Sequence, residues 1–154
     1  MALGCGMLDK YDSKKLRYGK VGICVDADDD GYHIACLLMA FFEALLPQFL
    51  REGRLAWLRA PLYKVVKNKK AYYFFTDEER EASNITGEQT RYKGLGEMNS
   101  EDAEESMFNP EIQRLEIIVP NAEGEDLLCE LMGADPEPKK NFVFSHIDFS
   151  TLND

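Results

Sequence analysis

The chain has 154 residues, 45% of them hydrophobic and 11% aromatic, which is enough for one domain with a packed core and a small appendage. It contains no apolar run of the length that spans a bilayer and no signal-peptide pattern at its amino terminus, so we expect a cytoplasmic protein. The four cysteines form no Cys-x-x-Cys pair and only two histidines accompany them, which argues against a zinc site.

The net charge of −10 is divided unevenly along the chain. Residues 1–75 contain 12 Lys or Arg and 8 Asp or Glu, a net charge of +4, whereas residues 76–154 contain 6 and 20, a net charge of −14. Four acidic residues of the first half form a single cluster, so the remainder of that half is basic. This pattern is compatible with a metal site close to nucleic-acid phosphates, and the acidic second half limits non-specific DNA binding.

Residues 1–20 form a basic lead-in without a long periodic segment. The apolar run at 21–25 (VGICV) predicts a β-strand that stops near Asp26, because Asp and Gly disfavour strand interiors. If the chain stays extended beyond the strand, Asp26, Asp28 and Asp30 point the same way and Asp29 points away. Three converging carboxylates at the end of a buried strand predict a Mg²⁺ site, and an acidic, solvated loop is the alternative.

The next elements suggest a parallel crossover. Apolar residues at helical spacing predict a helix over 33–52, interrupted at Pro47 and ended by Gly53. A strand over 55–60 follows, and right-handed crossover makes it parallel to the first strand. Two further apolar stretches, 62–66 and 71–75, predict a β-hairpin.

The second half of the chain is predicted to consist of short helices and strands joined by loops. We predict a helix over 76–82 that begins at a capping residue, a loop over 84–89, and a helix from Asn99 or Ser100 to about Phe108. A strand over 115–119 and helices over 123–132 and 139–145 complete the prediction. We divide the chain into the lead-in 1–20, a metal-binding core 21–110, an extension 111–145 and a tail 146–154.

A glycine-containing turn that follows a short strand, over 91–98 (RYKGLGEM), is the second candidate functional feature. Its two glycines allow the backbone to approach another backbone closely, and Arg91 and Lys93 are long enough to contact phosphates. We therefore predict that the turn lines the site, with a simple β-turn as the alternative.

Several motifs occur in one order along the chain: DADDDGYHI, LLMAFFEALLPQFLREGRL, APLYKV, RYKGLGEMN, FNPEIQRL and LMGADPEPKKNF. In this respect the chain resembles the Toprim domain of the B-type subunit of type IIA DNA topoisomerases (gyrase and topoisomerase IV) over nearly its whole length. The resemblance implies an α/β fold, with a Rossmann-like parallel Toprim sheet flanked by helices and a carboxyl-terminal α+β extension.

The resemblance also implies residue roles. Asp26 and Asp28 would be the principal Mg²⁺ ligands, with Asp30 auxiliary, and Asp26, Asp28 and Lys93 would take part in catalysis. The residues expected to contact DNA are His33, Arg91, Lys93, Lys139 and Lys140. His33 would otherwise cap its helix or form a hydrogen bond to a nearby loop. Lys139 and Lys140 stand where the family has two arginines, and would otherwise lie on a solvated helix face.

The implied function is that of the Mg²⁺-binding part of a multi-chain, ATP-dependent type II topoisomerase. Such a part assists double-strand DNA cleavage and religation by a tyrosine on the A-type subunit. The family's opening Toprim strand, with its EGDSA glutamate, has no counterpart in this sequence. We therefore expect an ATPase-bearing chain to bind ATP and to supply that strand and glutamate, as in phage topoisomerases whose B-type chain is split, and we expect this chain to be inactive alone.

Two other functions remain open at this point. One is a non-catalytic module that binds DNA or protein and uses the acidic loop for structure. The other is a stand-alone Toprim nuclease or primase, which should carry its own glutamate on a strand before the aspartates. No such strand precedes Asp26 in this sequence.

Overall fold

The computed structural model describes residues 2–147, except for the side chain of Cys129. The chain divides into two compact units between Val119 and Pro120. In chain order, the regular elements of the first unit are β1 (Val21–Ile23), α1 (Asp29–Leu45), α2 (Pro47–Arg51), β2 (Leu55–Arg59), β3 (Tyr63–Lys67), β4 (Lys70–Phe74), α3 (Asp77–Ala82), β5 (Glu88–Arg91), α4 (Ser100–Ala103) and β6 (Arg114–Ile118). A π-helical turn at Glu104–Phe108 continues α4.

The first sheet has the strand order β1-β2-β6 and is mixed. β1 and β2 run parallel, with Val21 opposite Leu55, as the crossover predicts. β6 runs antiparallel to β2, with Leu55 opposite Ile118. The protein is therefore α/β, but in residues 2–147 parallel pairing is limited to one pair of strands. The strand predicted over 21–25 is also shorter than expected, because the chain leaves the sheet after Ile23.

The crossover between β1 and β2 has the predicted interruption. α1 ends at Leu45 and α2 begins at Pro47, where a proline fits the first turn of a helix. Gly53 follows α2 with φ +64°, a conformation that favours glycine, and its N–H donates to Leu50 at 2.8 Å. The start of α1 differs from the prediction by four residues, because Asp28 and not a later residue caps the helix.

The core of the first unit lies between this crossover and the first sheet. Its buried residues are Cys5, Ile23, Ala35, Phe42, Leu46, Phe49, Leu50 and Leu55. Phe42 and Phe49 stack at 5.5 Å, which joins the two helices across the break. Leu3, Tyr11 and Leu16 also pack against this core, so the basic lead-in is part of the folded unit.

The second sheet is antiparallel, in the order β4-β3-β5. The predicted hairpin is confirmed, and its two-residue turn has positive φ at Asn68 and Lys69, as in a type I′ turn. The prediction of a loop over 84–89 is wrong for its last two residues, because Glu88 and Gln89 belong to β5, which pairs with β3. All four residues of β5 are polar and exposed, so no hydrophobic alternation marks it in the sequence.

The second unit contains α5 (Ala122–Met132) and α6 (Pro136–His146). Both predicted helices are present, but α6 begins three residues earlier than predicted. Asp135 caps it by accepting the Glu137 N–H at 3.0 Å, and Pro136 occupies its first turn. Most of the predicted tail lies outside the described residues. Among the helices that are described, none has the length and apolar character needed to cross a membrane.

Candidate metal site and the glycine turn beside it

The four clustered aspartates occupy three different backbone settings. Asp26 lies in the segment between β1 and α1, Asp28 is the N-cap of α1, and Asp29 and Asp30 are in its first turn. The continuous extended geometry predicted for 26–30 is therefore wrong from Asp29 onward, because the cap at Asp28 starts the helix. Negative side chains in a first turn also stabilise a helix through its dipole.

Three of the four aspartates nevertheless share one open cleft. Asp26, Asp28 and Asp30 line a cleft of about 410 Å³, and Asp29 is not among its lining residues. The other lining residues are Cys24, Val25, Gly31, Ile34 and Leu95. The cleft thus joins the end of β1, the start of α1 and the glycine turn.

Asp26 and Asp28 each use one carboxylate oxygen to hold the backbone in place. Asp28 Oδ1 accepts the Gly31 N–H at 2.7 Å, which closes the first turn of α1. Asp26 Oδ1 accepts the Leu95 N–H at 2.7 Å, which connects two segments 69 residues apart in the chain. Among the described residues, neither Oδ2 has a hydrogen-bond partner. Each carboxylate therefore keeps an oxygen for a cation or water.

Two glycines allow the backbone to pass close to Asp26. A Cβ at Gly31 would lie 2.0 Å from the Asp26 carbonyl oxygen, far inside the contact distance. A Cβ at Gly94 would lie 3.2 Å from the atoms of the Asp26 carboxylate. A Cβ at Gly96 would meet nothing within 4 Å. In the glycine turn the close approach is therefore made by Gly94 and not by Gly96, and it is to the Asp26 carboxylate and not, as predicted, to another backbone.

The donor atoms of this cleft suit Mg²⁺, which prefers carboxylate oxygens and water. In the part of the chain that the structure describes, however, no three His, Cys, Asp or Glu side chains lie close enough to hold one ion together. Asp26, Asp28 and Asp30 therefore share a cleft without forming a preassembled group of three ligands. Their role as metal ligands stays a prediction.

The residues predicted to contact DNA lie in three places. His33 is exposed on α1, and because Asp28 caps that helix, the alternative in which His33 is the cap is wrong. Arg91 is the last residue of β5, and its guanidinium lies 5.7 Å from the centre of the Tyr63 ring. Lys93 is exposed within the glycine turn, and its backbone N–H donates to Glu97 Oε2 at 2.8 Å.

Lys139 and Lys140 belong to α6, in the second unit. Lys140 Nζ lies 2.7 Å from Glu137 Oε1 on the preceding turn, a surface ion pair of small energetic value. The structure thus brings the three aspartates and the glycine turn together within the first unit. The DNA-contact role of the two lysines stays a prediction.

A second polar cluster is centred on Asp102, in the helix α4 that follows the glycine turn. No sequence motif predicted it. Asp102 is only 6% exposed and accepts hydrogen bonds from Lys64, Tyr73 and Tyr92. Burial would raise the pKa of the Asp102 carboxyl, but the bonds from Lys64, Tyr92 and Tyr73 outweigh it and hold the pKa below its usual value. The segment EDAEES has the pattern of an exposed, charged helix, so no local signal distinguishes Asp102 from its neighbours.

Comparison with known proteins finds one matching family model and similar proteins along nearly the whole chain. Residues 85–144 match a family model described as the carboxyl terminus of the DNA gyrase B subunit. The DNA gyrase B subunit of Spiroplasma citri is 41% identical over 151 residues, which cover 92% of this chain and 24% of the relative. The DNA gyrase B subunit of Archaeoglobus fulgidus is 39% identical, covering 94% and 24%. The DNA topoisomerase 4 B subunit of Rickettsia typhi is 37% identical, covering 94% and 23%.

The fold and the cleft define an α/β protein with an acidic site at the end of a parallel strand. The sequence comparison concerns the chain as a whole: it belongs to the family of the B-type subunits of type IIA DNA topoisomerases. It spans about a quarter of the length of the relatives it matches.

Proposed function

We propose that this chain is the Mg²⁺-binding Toprim part of a type II DNA topoisomerase and assists double-strand cleavage and religation. The observation that carries the proposal is the hydrogen bond from the Leu95 N–H to Asp26 Oδ1. It joins the aspartate cluster to the glycine turn, the two motifs that were expected to act together. An acidic loop that was only solvated would not make this contact.

Each residue has a defined task in this proposal. Asp26 and Asp28 would hold Mg²⁺ with the oxygens that the backbone leaves free, and Asp30 would add a third carboxylate from the first turn of α1. When bound, the ion stabilises negative charge on the phosphate and leaving oxygens of the cleaved strand. Exposed Lys93 and Arg91 would bind neighbouring phosphates, and His33 would do so from α1.

The remaining chemistry comes from partners. We propose that a tyrosine on an A-type subunit attacks the DNA, and that an ATPase-bearing chain binds ATP. The ATPase-bearing partner would also supply the opening Toprim strand and its glutamate. Two observations support this completion.

The first observation is the open edge of β1. Within the described residues, β1 has a partner strand on one side only, and an unpaired edge is normally covered. The second is an apolar stripe on α1, where Ile34, Leu37, Leu38 and Phe41 are 37–50% exposed at helical spacing. A strand paired with β1 and a helix packed on α1 would bury both features.

Metal dependence of DNA cleavage by the assembled complex tests the proposal. Asp26→Ala should lower cleavage by about two orders of magnitude, because a bound ion contributes several kcal/mol to stabilising the developing charge. Asp29→Ala is the matched control: it removes a carboxylate from the same cluster but outside the cleft, and cleavage should change by less than about threefold. The measurement is a Mg²⁺ titration of DNA cleavage, with each variant at the same concentration of folded protein.

Three results would contradict the assignment. Equal losses from both substitutions would mean that the cluster acts only through its total charge. No loss from Asp26→Ala would favour the non-catalytic module that binds DNA or protein. Mg²⁺-dependent cleavage of plasmid by the purified chain alone would instead favour a stand-alone nuclease.

A further inference from the structure

The buried Asp102 carboxylate connects three strands of the second sheet to α4. Its Oδ1 accepts hydrogen bonds from Lys64 Nζ and, at 3.2 Å, from the Tyr73 hydroxyl. Lys64 and Tyr73 are directly opposite each other on β3 and β4. Its Oδ2 accepts the Tyr92 hydroxyl at 2.6 Å, and Tyr92 directly follows β5. Both oxygens are thus occupied by protein donors.

The same residue holds both ends of the glycine turn. At the first end, Tyr92 is 5% exposed and is fixed by its hydroxyl to Asp102 and by its N–H to the Leu62 carbonyl at 2.9 Å. At the second end, Asn99 caps α4 by accepting the Asp102 N–H at 2.7 Å. Residues 93–98 are therefore flanked by Tyr92 and Asn99, and each of these two residues forms a hydrogen bond with Asp102.

Between these two ends lies the part of the glycine turn that contacts Asp26 and lines the cleft. The Leu95 N–H donates to Asp26 Oδ1, and Gly94 passes beside the same carboxylate. Lys93 immediately follows Tyr92. A displacement of Tyr92 would therefore move the donor that orients Asp26, although neither Tyr92 nor Asp102 is among the residues that line the cleft.

We propose that Asp102 is a positioning residue: through Tyr92 it sets the glycine turn so that the Leu95 N–H orients the Asp26 carboxylate. The catalytic consequence rests on the function proposed above, whereas the structural consequence does not. A buried, paired carboxylate is not needed for stability as such, since apolar residues of similar volume often stabilise a fold as well. Its value here is that it fixes the direction of a turn whose own residues are mostly half-exposed or exposed.

Two tyrosines on the same carboxylate provide a matched test in the full-length chain. Tyr92→Phe and Tyr73→Phe each remove one hydroxyl from Asp102, but only Tyr92 continues into the turn. Hydrogen exchange of the Leu95 amide is the readout. We expect Tyr92→Phe to accelerate that exchange roughly tenfold, the size of effect of one lost hydrogen bond. Tyr73→Phe should leave it within about twofold, even though it also removes the bond to Glu105.

In the assembled complex, Tyr92→Phe should raise the Mg²⁺ concentration needed for half-maximal cleavage severalfold, and Tyr73→Phe should not. Equal Leu95 exchange in the two variants would overturn the proposal, because Asp102 would then act only in folding. If Tyr92→Phe does not fold, Asp102→Asn, which preserves side-chain volume but not the shared carboxylate, replaces it, and unchanged Leu95 exchange in that variant is equally decisive. If the wild-type complex shows no metal-dependent cleavage, the proposed function fails, while the amide exchange still decides the positioning role.

Discussion

The aspartate cluster at the end of β1 and the single aspartate of α4 use the same functional group in opposite ways. Asp26, Asp28 and Asp30 are half-buried or exposed, and Asp26 and Asp28 each hold one backbone N–H with a single oxygen. Asp102 is buried, and Lys64, Tyr73 and Tyr92 occupy both of its oxygens. The donors around a carboxylate, and not the carboxylate itself, decide whether it is available to a cation or is committed to structure.

The largest stability difference between the two regions should appear on truncation of Asp102. Asp102→Ala would leave the Lys64 ammonium and two tyrosine hydroxyls without their shared acceptor, and we expect a loss of about 3 kcal/mol in the free energy of unfolding. Asp30→Ala removes an exposed carboxylate and should cost less than about 1 kcal/mol, the size of a helix-dipole contribution. Urea denaturation at neutral pH measures both. A smaller loss for Asp102→Ala than for Asp30→Ala would reverse the comparison.

The contribution of Asp102 to stability should also depend on pH. Because the pKa of Asp102 in the folded protein lies below its value in the unfolded chain, its contribution is present above about pH 4 and is lost as the pH falls through the folded pKa. The stability gap between the wild type and Asp102→Ala should therefore narrow as the pH falls from neutral to below about 4. A gap that stays constant over this range would mean that the ionised carboxylate contributes nothing.

An intermediate effect is expected from the glycines that admit the backbone next to Asp26. In a helix, Gly→Ala normally stabilises by up to about 1 kcal/mol. At Gly31 the added methyl would lie 2.0 Å from the Asp26 carbonyl oxygen, so Gly31→Ala should destabilise by about 2 kcal/mol or more. Gly96→Ala is the control, since nothing lies within 4 Å of its Cβ position. Thermal unfolding of the two variants compares them, and a stabilised Gly31→Ala protein would contradict the close approach.

The smallest effect on stability is expected at Lys93. Its side chain is exposed in the glycine turn, and a surface substitution usually changes stability by less than about 0.5 kcal/mol. If it contacts DNA as we propose, Lys93→Ala should lower cleavage by the assembled complex at unchanged stability. Lys69→Ala, at the exposed tip of the β3–β4 hairpin, is the control. Unfolding of the Lys93 variant, with cleavage intact per folded molecule, would show that this lysine is structural.

Local sequence patterns were sufficient for most helices and turns. Pro47 separates α1 from α2, Gly53 ends α2 with positive φ, and Thr76 caps α3 by accepting the Glu79 N–H at 3.2 Å. These features depend on residues within about one helical turn, so their causes are visible in a short window. The three aspartates of the cleft were also identifiable, because the D-x-D-x-D-G spacing lies within six residues.

Features that depend on contacts between residues distant in the chain could not be predicted from such short windows of sequence. β5 is entirely polar and exists because β3 offers it a free edge, and β6 turns a predicted parallel sheet into a mixed one. The four-part division of the chain likewise stays a prediction, while the boundary between compact units falls after Val119.

The sequence by itself identified the carboxylates that could bind a metal and the turn in which a glycine makes a close approach. Only the tertiary structure decided which of these groups meet. The Leu95 N–H reaches Asp26 across 69 residues, and Asp102 joins β3, β4 and the end of β5 to α4. The physical reason is that a hydrogen bond needs its partners within about 3 Å, and for residues so far apart in the chain that distance is set by how the sheets and helices pack.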